Sequence, residues 1–264
     1  MATLENKTIW ITGASSGIGE ALAYALSERD CKLILSSRKK DALEKVQKQC
    51  AHPENVKIVP LDVSDFDTLS EKAIAAQAAF GGIDILINNA GISQRSLIID
   101  TDLEVYKRIM DVDFFGAVAL SKAVLPDFVK RKKGHFVTIS SLMGKFSSPQ
   151  RSGYCAAKHA LHGFFDALRM EHTKDNIDVT LVCPGFVRTN VAKNALKGDG
   201  SPKNEQSESI ANGIPVAVAA QKIIQAVERK KLEVYMGQKE VFGVYLKRFF
   251  PTLLHKVVSN RKIT

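Results

Sequence analysis

The sequence has few of the features that mark a secreted or membrane-spanning protein. Its four cysteines are scattered and form no Cys-x-x-Cys pair, which disfavours a disulfide framework and indicates reduced thiols in a cytosolic-type compartment. Nowhere do apolar residues run for the roughly eighteen positions that a membrane-spanning helix needs. The first seven residues contain no apolar signal region, so we expect a cytoplasmic protein.

The composition is otherwise that of a single globular domain. Of the 264 residues, 45% are hydrophobic and 25% are charged, which is ordinary for globular proteins. One large α/β domain accounts for this length and can bury a substantial core. The net charge of +9 could suggest nucleic acid, but no recognition motif or aromatic-basic pattern accompanies it. We therefore predict no nucleic-acid partner.

Apolar runs alternate with stretches of helical composition along the chain. The predicted helices include residues 65–80, 103–132 and 215–230. Repeated strand–helix units imply a single Rossmann-type α/β fold, in which a doubly wound parallel sheet has helices on both faces. The predicted strands cover residues 8–11, 32–36, 56–61, 83–87, 136–140, 179–182 and 232–236.

A glycine-rich turn follows the first predicted strand. Residues 12–19 have the sequence Thr-Gly-Ala-Ser-Ser-Gly-Ile-Gly and precede a stretch of helical composition. In a strand–turn–helix unit, backbone N–H groups and the helix N-terminus can receive a pyrophosphate. The spacing Gly-x-x-x-Gly-x-Gly differs from the usual Gly-x-Gly-x-x-Gly fingerprint, so an ordinary glycine-rich turn is the alternative.

A tyrosine, a lysine and a serine could together move a proton at a carbonyl oxygen. Tyr154 and Lys158 are four residues apart in a stretch of helical composition, so their side chains share one helix face. Ser141 lies thirteen residues before Tyr154, at the end of a predicted strand. Tyr235 and Lys239 repeat the four-residue spacing without such a serine, so the pair alone is weak support.

In this order and spacing, the motifs resemble those of the short-chain dehydrogenase/reductase family over essentially the whole chain. Residues 140–145 and 154–169 resemble its lipid- and steroid-active reductases, in particular the group called dehydrogenase/reductase member 7B. The resemblance implies hydride transfer between a nicotinamide cofactor and a small hydrophobic carbonyl or alcohol substrate. It also implies a homodimer or homotetramer. The matching elements are residues 12–19, 62–63, 88–91, Ser141, Tyr154, Lys158 and residues 184–185.

The resemblance also assigns roles to individual residues. Tyr154 would exchange a proton with the substrate oxygen, Lys158 would favour the ionised phenol and bind the nicotinamide ribose, and Ser141 would hold the substrate oxygen. Asp113 completes the catalytic set at a position where the family usually has asparagine. Because an ionised carboxylate only accepts hydrogen bonds, we expect a less efficient proton relay. The predicted cofactor contacts are Gly13, Ser15, Ser16, Gly17, Ile18, Gly19, Ser37, Arg38, Asp62, Val63, Asn89, Ala90, Gly91, Tyr154, Lys158, Pro184, Gly185, Val187 and Thr189.

The end of the second predicted strand indicates which cofactor binds. An acidic residue there would hydrogen-bond the ribose 2′-hydroxyl and favour NAD. This chain instead has Ser37 and Arg38, which offer a hydroxyl and a cation to a 2′-phosphate, so we predict NADP(H). Asp41 comes too late and is predicted to cap the next helix. Lys39 and Lys40 are predicted to be solvated.

No metal site is predicted. His159, His162 and Asp166 could meet on the helix that carries Tyr154. Helical histidines are more often packing or surface residues, however, and the proposed chemistry needs no metal.

Two later segments fall outside these motifs. Residues 190–213 follow a strand end, where ligands bind in such sheets, and their polar stretch 197–204 predicts a mobile substrate lid. A solvated loop without function is the alternative. Residues 239–264 form an amphipathic basic segment with six Lys or Arg residues and one Glu. Its apolar face could pack on the protein or a neighbouring subunit, or make peripheral contact with a membrane.

Overall fold

The computed structural model describes residues 3–191, 193–205 and 208–259. In this part of the chain, seven parallel strands form one sheet in the order β3-β2-β1-β4-β5-β6-β7. The strand order therefore reverses between β1 and β4, and ligands bind at such a switch point in open α/β sheets. The strands are β1 Thr8–Thr12, β2 Lys32–Ser36, β3 Val56–Ile58, β4 Ile85–Asn88, β5 Gly134–Ile139, β6 Ile177–Pro184 and β7 Glu233–Met236. The predicted α/β fold is confirmed.

Helices cover both faces of this sheet. Alternate residues of each strand point to opposite faces, so Ile9 and Ile11 of β1 enter one core while Trp10 enters the other. The first core is closed by α1, α2 and α8, and the second by α3, α5 and α6. The helices are α1 Gly17–Ser27, α2 Lys40–Gln49, α3 Phe66–Phe80, α4 Leu103–Met110, α5 Gly116–Arg131, α6 Ser152–Glu171, α7 Glu208–Ala211, α8 Val216–Glu228, α9 Phe242–Phe249 and α10 Pro251–Ser259.

The helix predicted over residues 103–132 is not continuous. A π-helical turn, Asp111–Phe115, separates α4 from α5. Its central residue, Asp113, is buried. Single π-turns inside helices are frequent at functional sites, and this one places a carboxylate in the interior of the protein.

Two smaller predictions are also corrected. Asp41 does not cap α2, because that helix begins at Lys40 with Lys39 at its N-cap, and Asp41 lies in the first turn. A carboxylate there still interacts favourably with the helix dipole. The third strand ends at Ile58 and not at residue 61. Pro60 follows closely and has no N–H to contribute to a strand ladder.

The predicted substrate loop is folded onto the protein where the structure describes it. Leu196 is buried and its N–H donates to the carbonyl of Ser93 at 2.8 Å. The Gly198 carbonyl accepts from the N–H of Asp102 at 2.9 Å, next to α4. The polar stretch is therefore a tight turn anchored on both sides, and its movement as a lid stays a prediction. Residues 192, 206 and 207 lie outside the described residues.

The C-terminal segment packs on the domain through one face only. Val244 of α9 and Leu254 of α10 are buried in a small core with Phe146 and Cys183. The described part also leaves large apolar side chains exposed: Phe242, Tyr245, Phe249, Phe250, Leu253 and Val257. Every helix in the described ranges is too short or too polar to cross a bilayer. Residues 260–264 of the predicted segment lie outside those ranges.

Candidate active site

The carboxyl ends of the strands surround a cavity of ≈ 890 Å³. It extends from the glycine turn after β1 to the serine, tyrosine and lysine that the sequence singled out. Apart from Gly19, every predicted catalytic and cofactor-binding residue lines this cavity. The topology thus brings together residues that are far apart in the sequence.

The glycine turn needs its glycines for close backbone packing. Gly13 has φ +64°, and a Cβ on it would lie 2.8 Å from the Cα of Ala90. Gly19 does not line the cavity, but a Cβ there would overlap the carbonyl oxygen of Gly13. The amide of Asn89 donates to the Thr12 carbonyl at 2.9 Å, which ties the turn to the end of β4. The turn is therefore held open at the N-terminus of α1, where a pyrophosphate fits.

Beyond the ends of β2 and β3, three polar side chains in the cavity wall suit the adenosine end of a dinucleotide. The hydroxyl oxygen of Ser37 is buried and has no hydrogen-bond partner among the described residues. Arg38 beside it is exposed at the cavity wall. Asp62 is held in place because its carboxylate accepts from the N–H and hydroxyl of Ser64 at 3.0 and 2.7 Å. A buried hydroxyl needs a partner, and a 2′-phosphate would supply one.

The serine and the tyrosine lie on two different elements that converge at the opposite end of the cavity. The Ser141 hydroxyl accepts from the N–H of Met143 at 3.1 Å and donates to the Pro184 carbonyl at 3.3 Å. These bonds hold it at the end of β5. Tyr154 is in the first turn of α6, and Lys158 follows it one turn later on the same face. The ammonium of Lys158 is 5.6 Å from the centroid of the Tyr154 ring.

A buried ion pair joins Lys158 to Asp113. The Lys158 Nζ lies 3.2 Å from Asp113 Oδ2, and the side chains are 5% and 0% exposed. Asp113 Oδ1 also accepts from the N–H of Ile92 at 2.7 Å. Lys158 Nζ also donates to the Ile139 carbonyl at 3.1 Å. The carboxylate therefore contacts Lys158 directly, at the position where the resemblance led us to expect a neutral asparagine amide.

The two buried charges affect each other's protonation. Burial raises the pKa of Asp113, while the nearby Lys158 ammonium and the Ile92 N–H act in the opposite direction. For Lys158, burial would lower the pKa, but the Asp113 carboxylate raises it above its usual value. Lys158 is thus kept charged, and the adjacent Asp113 carboxylate cancels part of the electrostatic field of its ammonium.

His162 does not meet His159 and Asp166, the constellation considered in the sequence. Its Nε2 lies 3.0 Å from the Ser140 hydroxyl and 3.7 Å from Cys183 Sγ, whose other neighbour is Glu233. Burial lowers the pKa of His162 to about 4, so the ring is neutral at pH 7. These side chains could surround a cation, but Lys145 already pairs with the Glu233 carboxylate.

The second tyrosine–lysine pair lies outside the cavity. Tyr235 is on β7, where its hydroxyl is bonded to Glu233, and burial followed by that bond raises its pKa. Neither Tyr235 nor Lys239 lines the cavity. The tertiary structure thus separates two pairs that have the same sequence spacing.

Sequence reasoning missed two arginines in the cavity wall. Arg95 follows β4 and Arg151 immediately precedes α6, and both line the cavity with Tyr154. Their positions could have drawn attention, because Arg95 follows the motif at residues 88–91 by four residues and Arg151 precedes Tyr154 by three. A single charge in a loop, however, has no periodic pattern that would indicate which way it points.

Comparison with known proteins agrees with this arrangement. Residues 7–200 match the family model for the short chain dehydrogenase. The chain is 39% identical over 266 residues to dehydrogenase/reductase SDR family member 7B of Mus musculus, covering 98% of this chain and 82% of that protein.

Two solved structures share the fold. A short-chain dehydrogenase from Streptomyces avermitilis superposes with a TM-score of 0.82 at 29% identity, covering 97% of this chain and 98% of that chain. A short chain dehydrogenase/reductase from Burkholderia phymatum, in complex with NAD, gives a TM-score of 0.84 at 22% identity, covering 100% and 98%. The chain therefore belongs to the short-chain dehydrogenase/reductase family of oxidoreductases, and it is similar to members named 7 and 7B.

Proposed function

We propose that this family member is an NADP(H)-dependent oxidoreductase that interconverts a carbonyl and a secondary alcohol on a hydrophobic substrate. One observation supports this most strongly: Ser141, Tyr154 and Lys158 converge at one end of a cavity whose other end is the glycine turn. A bound nicotinamide cofactor would supply or accept the hydride. The protein must then position the substrate and move a proton at its oxygen.

The proposed proton transfer uses the three converging side chains. Ser141 is held by two hydrogen bonds and would orient the substrate oxygen where negative charge develops. Tyr154 would donate its phenolic proton to that oxygen in reduction and take it back in oxidation. Lys158, charged and buried beside the ring, would favour the phenolate by electrostatic attraction. Burial strengthens that attraction, because the effective dielectric is lower than in water.

The substrate end of the cavity supports a hydrophobic substrate. Ile92 and Ile139 line its wall beside the catalytic groups, and Leu196, Pro202 and Ile210 line it from the predicted substrate loop. An apolar wall with a few convergent polar groups is the usual composition of a small-molecule site. The substrate itself is not identified by these residues.

Cofactor selectivity follows from the second strand end and is our first testable prediction. Arg38→Ala should weaken NADPH binding at least about tenfold, because a hydrogen bond between charged groups contributes roughly 1.5–3 kcal/mol. NADH, which has no 2′-phosphate, should bind equally well to both proteins. Fluorescence titration gives all four dissociation constants. Lys40→Ala is the matched control, since Lys40 is two residues away and pairs with Glu44 at 3.6 Å.

Equal affinity of the wild-type protein for NADH and NADPH would contradict the preference for NADP(H). Equal weakening of NADPH binding by Arg38→Ala and Lys40→Ala would contradict a specific contact between Arg38 and the 2′-phosphate. Equal weakening would mean that Arg38 and Lys40 act on the cofactor only through the overall positive charge of this surface.

We also propose that the C-terminal segment contacts an anionic membrane surface. Phe249, Phe250 and Leu253 are exposed on α9 and α10, beside the exposed cations Lys247 and Arg248. An apolar patch with basic neighbours suits the interface of an anionic bilayer. Each Lys or Arg near such a surface contributes about 1 kcal/mol.

Membrane contact predicts salt-sensitive binding to vesicles. Wild-type protein should co-sediment with phosphatidylserine-containing vesicles at low salt and be released at high salt. The double variant Lys247→Gln/Arg248→Gln should bind roughly tenfold or more weakly, at about 1 kcal/mol per charge. Substitution at these exposed sites is preferable to truncation, because Val244 and Leu254 are buried. Equal binding of both proteins, or a change of oligomeric mass in the variant alone, would indicate a protein contact instead.

A further inference from the structure

Two arginines, one buried and one half-buried, lie in the cavity wall near the catalytic tyrosine. Arg95 is only 8% exposed. Arg151, at the N-cap of α6, is half-buried and three residues before Tyr154. Both line the cavity. Burial, and then the positive charge of Arg151, lowers the pKa of Arg95 to about 10, so the group is still a cation at neutral pH.

Neither guanidinium has an acidic partner among the described residues. No described carboxylate lies within ion-pair distance of Arg95 or Arg151. The Nε of each is buried without a hydrogen-bond partner in the same part of the chain. Arg95 donates through Nη1 to the Gln94 carbonyl at 3.0 Å. Two buried cations side by side are costly unless an anion compensates them.

The cavity supplies no such anion from the described protein. Its acidic lining residues in those ranges are Asp62 and Asp113. Asp113 is already paired with Lys158, and Asp62 is held by Ser64 beyond the end of β3. The described residues that line the cavity therefore offer no free carboxylate to compensate the positive charge near Tyr154.

The backbone around Arg95 is rigidly positioned. Its N–H donates to the Leu196 carbonyl at 2.8 Å, and the N–H of Ser96 donates to the Gln150 carbonyl at 3.1 Å. The side chain of Gln94 accepts from the N–H of Gly153 at 2.8 Å. These bonds tie the segment after β4 both to the predicted substrate loop and to the start of α6. The backbone that carries Arg95 is thus held in place relative to the start of α6 and Tyr154, which favours a preorganised recognition site.

We propose that Arg95 and Arg151 bind an acidic head group, a carboxylate or a phosphate monoester, on the substrate. This inference rests on the proposed function and refines it, because the hydrophobic substrate becomes an amphiphile with one anionic end. Guanidinium groups suit this task, since their planar N–H donors can bind two oxygens of a carboxylate or phosphate at once. The apolar wall would then receive the rest of the molecule, and the reacting carbon would lie between them.

Binding of unreactive amphiphiles tests the proposal without turnover. The probes are decanoate, decyl phosphate and 1-decanol, which have the same chain length, titrated by calorimetry into NADPH-saturated protein, where none of them can be reduced. At least one of the two anions should bind about tenfold or more tightly than the alcohol, as hydrogen bonds to charged groups predict. The anion that binds more tightly identifies the head group. Arg95→Gln and Arg151→Gln should each remove most of that advantage without altering the affinity for 1-decanol.

Three comparisons keep the result interpretable. Arg229→Gln removes an exposed cation after α8 and should leave the anion advantage intact. Arg95→Lys keeps the charge but not the planar fork, so it should lose part of the affinity even if Arg95→Gln fails to fold. Repeating the titrations without NADPH separates the two proposals, because anion binding that depends on Arg95 would persist even if cofactor binding were absent. Equal affinities for anions and alcohol, or anion binding unchanged in both Gln variants, would overturn the inference.

Discussion

Tyr154→Phe should reduce turnover by about 10²–10⁴-fold, the usual contribution of a positioned general acid or base. The phenylalanine ring keeps the shape of the site but has no proton to donate to the substrate oxygen. NADPH affinity should stay nearly unchanged, because the glycine turn and the strand ends hold the dinucleotide elsewhere in the cavity. Steady-state rates with any ketone that the wild-type protein reduces, together with NADPH titration, measure both quantities.

Tyr235→Phe is the matched control for this variant. Tyr235 has the same spacing to a lysine, but it is on β7 and does not line the cavity. Its loss should leave turnover near the wild-type value. Wild-type rates in Tyr154→Phe would refute the assigned role, and equal losses in both variants would point to a general effect on folding.

Asp113→Asn should increase alcohol oxidation at neutral pH and shift its pH–rate profile to lower pH. The substitution removes the carboxylate that partly cancels the Lys158 charge at 3.2 Å. The variant loses the carboxylate that raises the pKa of Lys158, but the Ile139 carbonyl still accepts from its ammonium. In its charged form, Lys158 would then attract the developing phenolate more strongly, so the base form of the tyrosine would be available at lower pH. The amide oxygen can still accept from the N–H of Ile92, as Oδ1 does. Cofactor affinity should therefore change little.

The same substitution should also lower stability. A buried ion pair that loses one partner typically costs ~3–5 kcal/mol. We expect the lower end of this range, because Lys158 keeps its hydrogen bond to the Ile139 carbonyl. Thermal unfolding and the pH–rate profile should be compared with those of Asp111→Asn, a carboxylate in the same π-helical turn that is not fully buried. An unchanged profile would show that Asp113 does not control proton transfer.

The sheet could be predicted from the sequence because its strands are buried on both faces. The centres of the strands, such as residues 33–35 of β2, are continuously apolar, as parallel strands between two helical layers require. The predicted strand limits were less accurate after β3, where Pro60 has no N–H to continue the hydrogen bonding of the sheet. The family and the order of its motifs could be predicted for a related reason. The glycine turn and the Tyr154–Lys158 spacing are local patterns that a sequence displays directly.

Features that depend on tertiary contacts could not be predicted. The π-helical turn at residues 111–115 lies within a stretch of helical composition and contains no proline or glycine, although Gly116 directly follows it. The direct pairing of Asp113 with Lys158 exists only because that turn faces α6. Arg95 and Arg151 are single charges in loops, and only the fold brings them to one wall. Which apolar residues of the C-terminal segment are buried depends on its contacts with Phe146 and Cys183, which are distant in the sequence.

A non-catalytic dinucleotide-binding protein is the main alternative to an enzyme. Its sequence support is Asp113, which stands where the family usually has asparagine. The structure places that residue in direct contact with Lys158 and leaves Ser141 and Tyr154 at the same cavity. The geometry therefore favours an enzyme whose proton transfer is tuned by a carboxylate.

Turnover with a panel of hydrophobic ketones and secondary alcohols tests the central claim most directly. The panel should include acidic members, such as a long-chain oxo acid beside its methyl ester. NADPH consumption is followed by absorbance, and product formation by mass spectrometry, with NADH measured in parallel. We predict that at least one ketone is reduced to its secondary alcohol with one NADPH consumed per product, and faster with NADPH than with NADH. Tight NADPH binding without turnover of any panel member in either direction would contradict the account and favour the non-catalytic alternative.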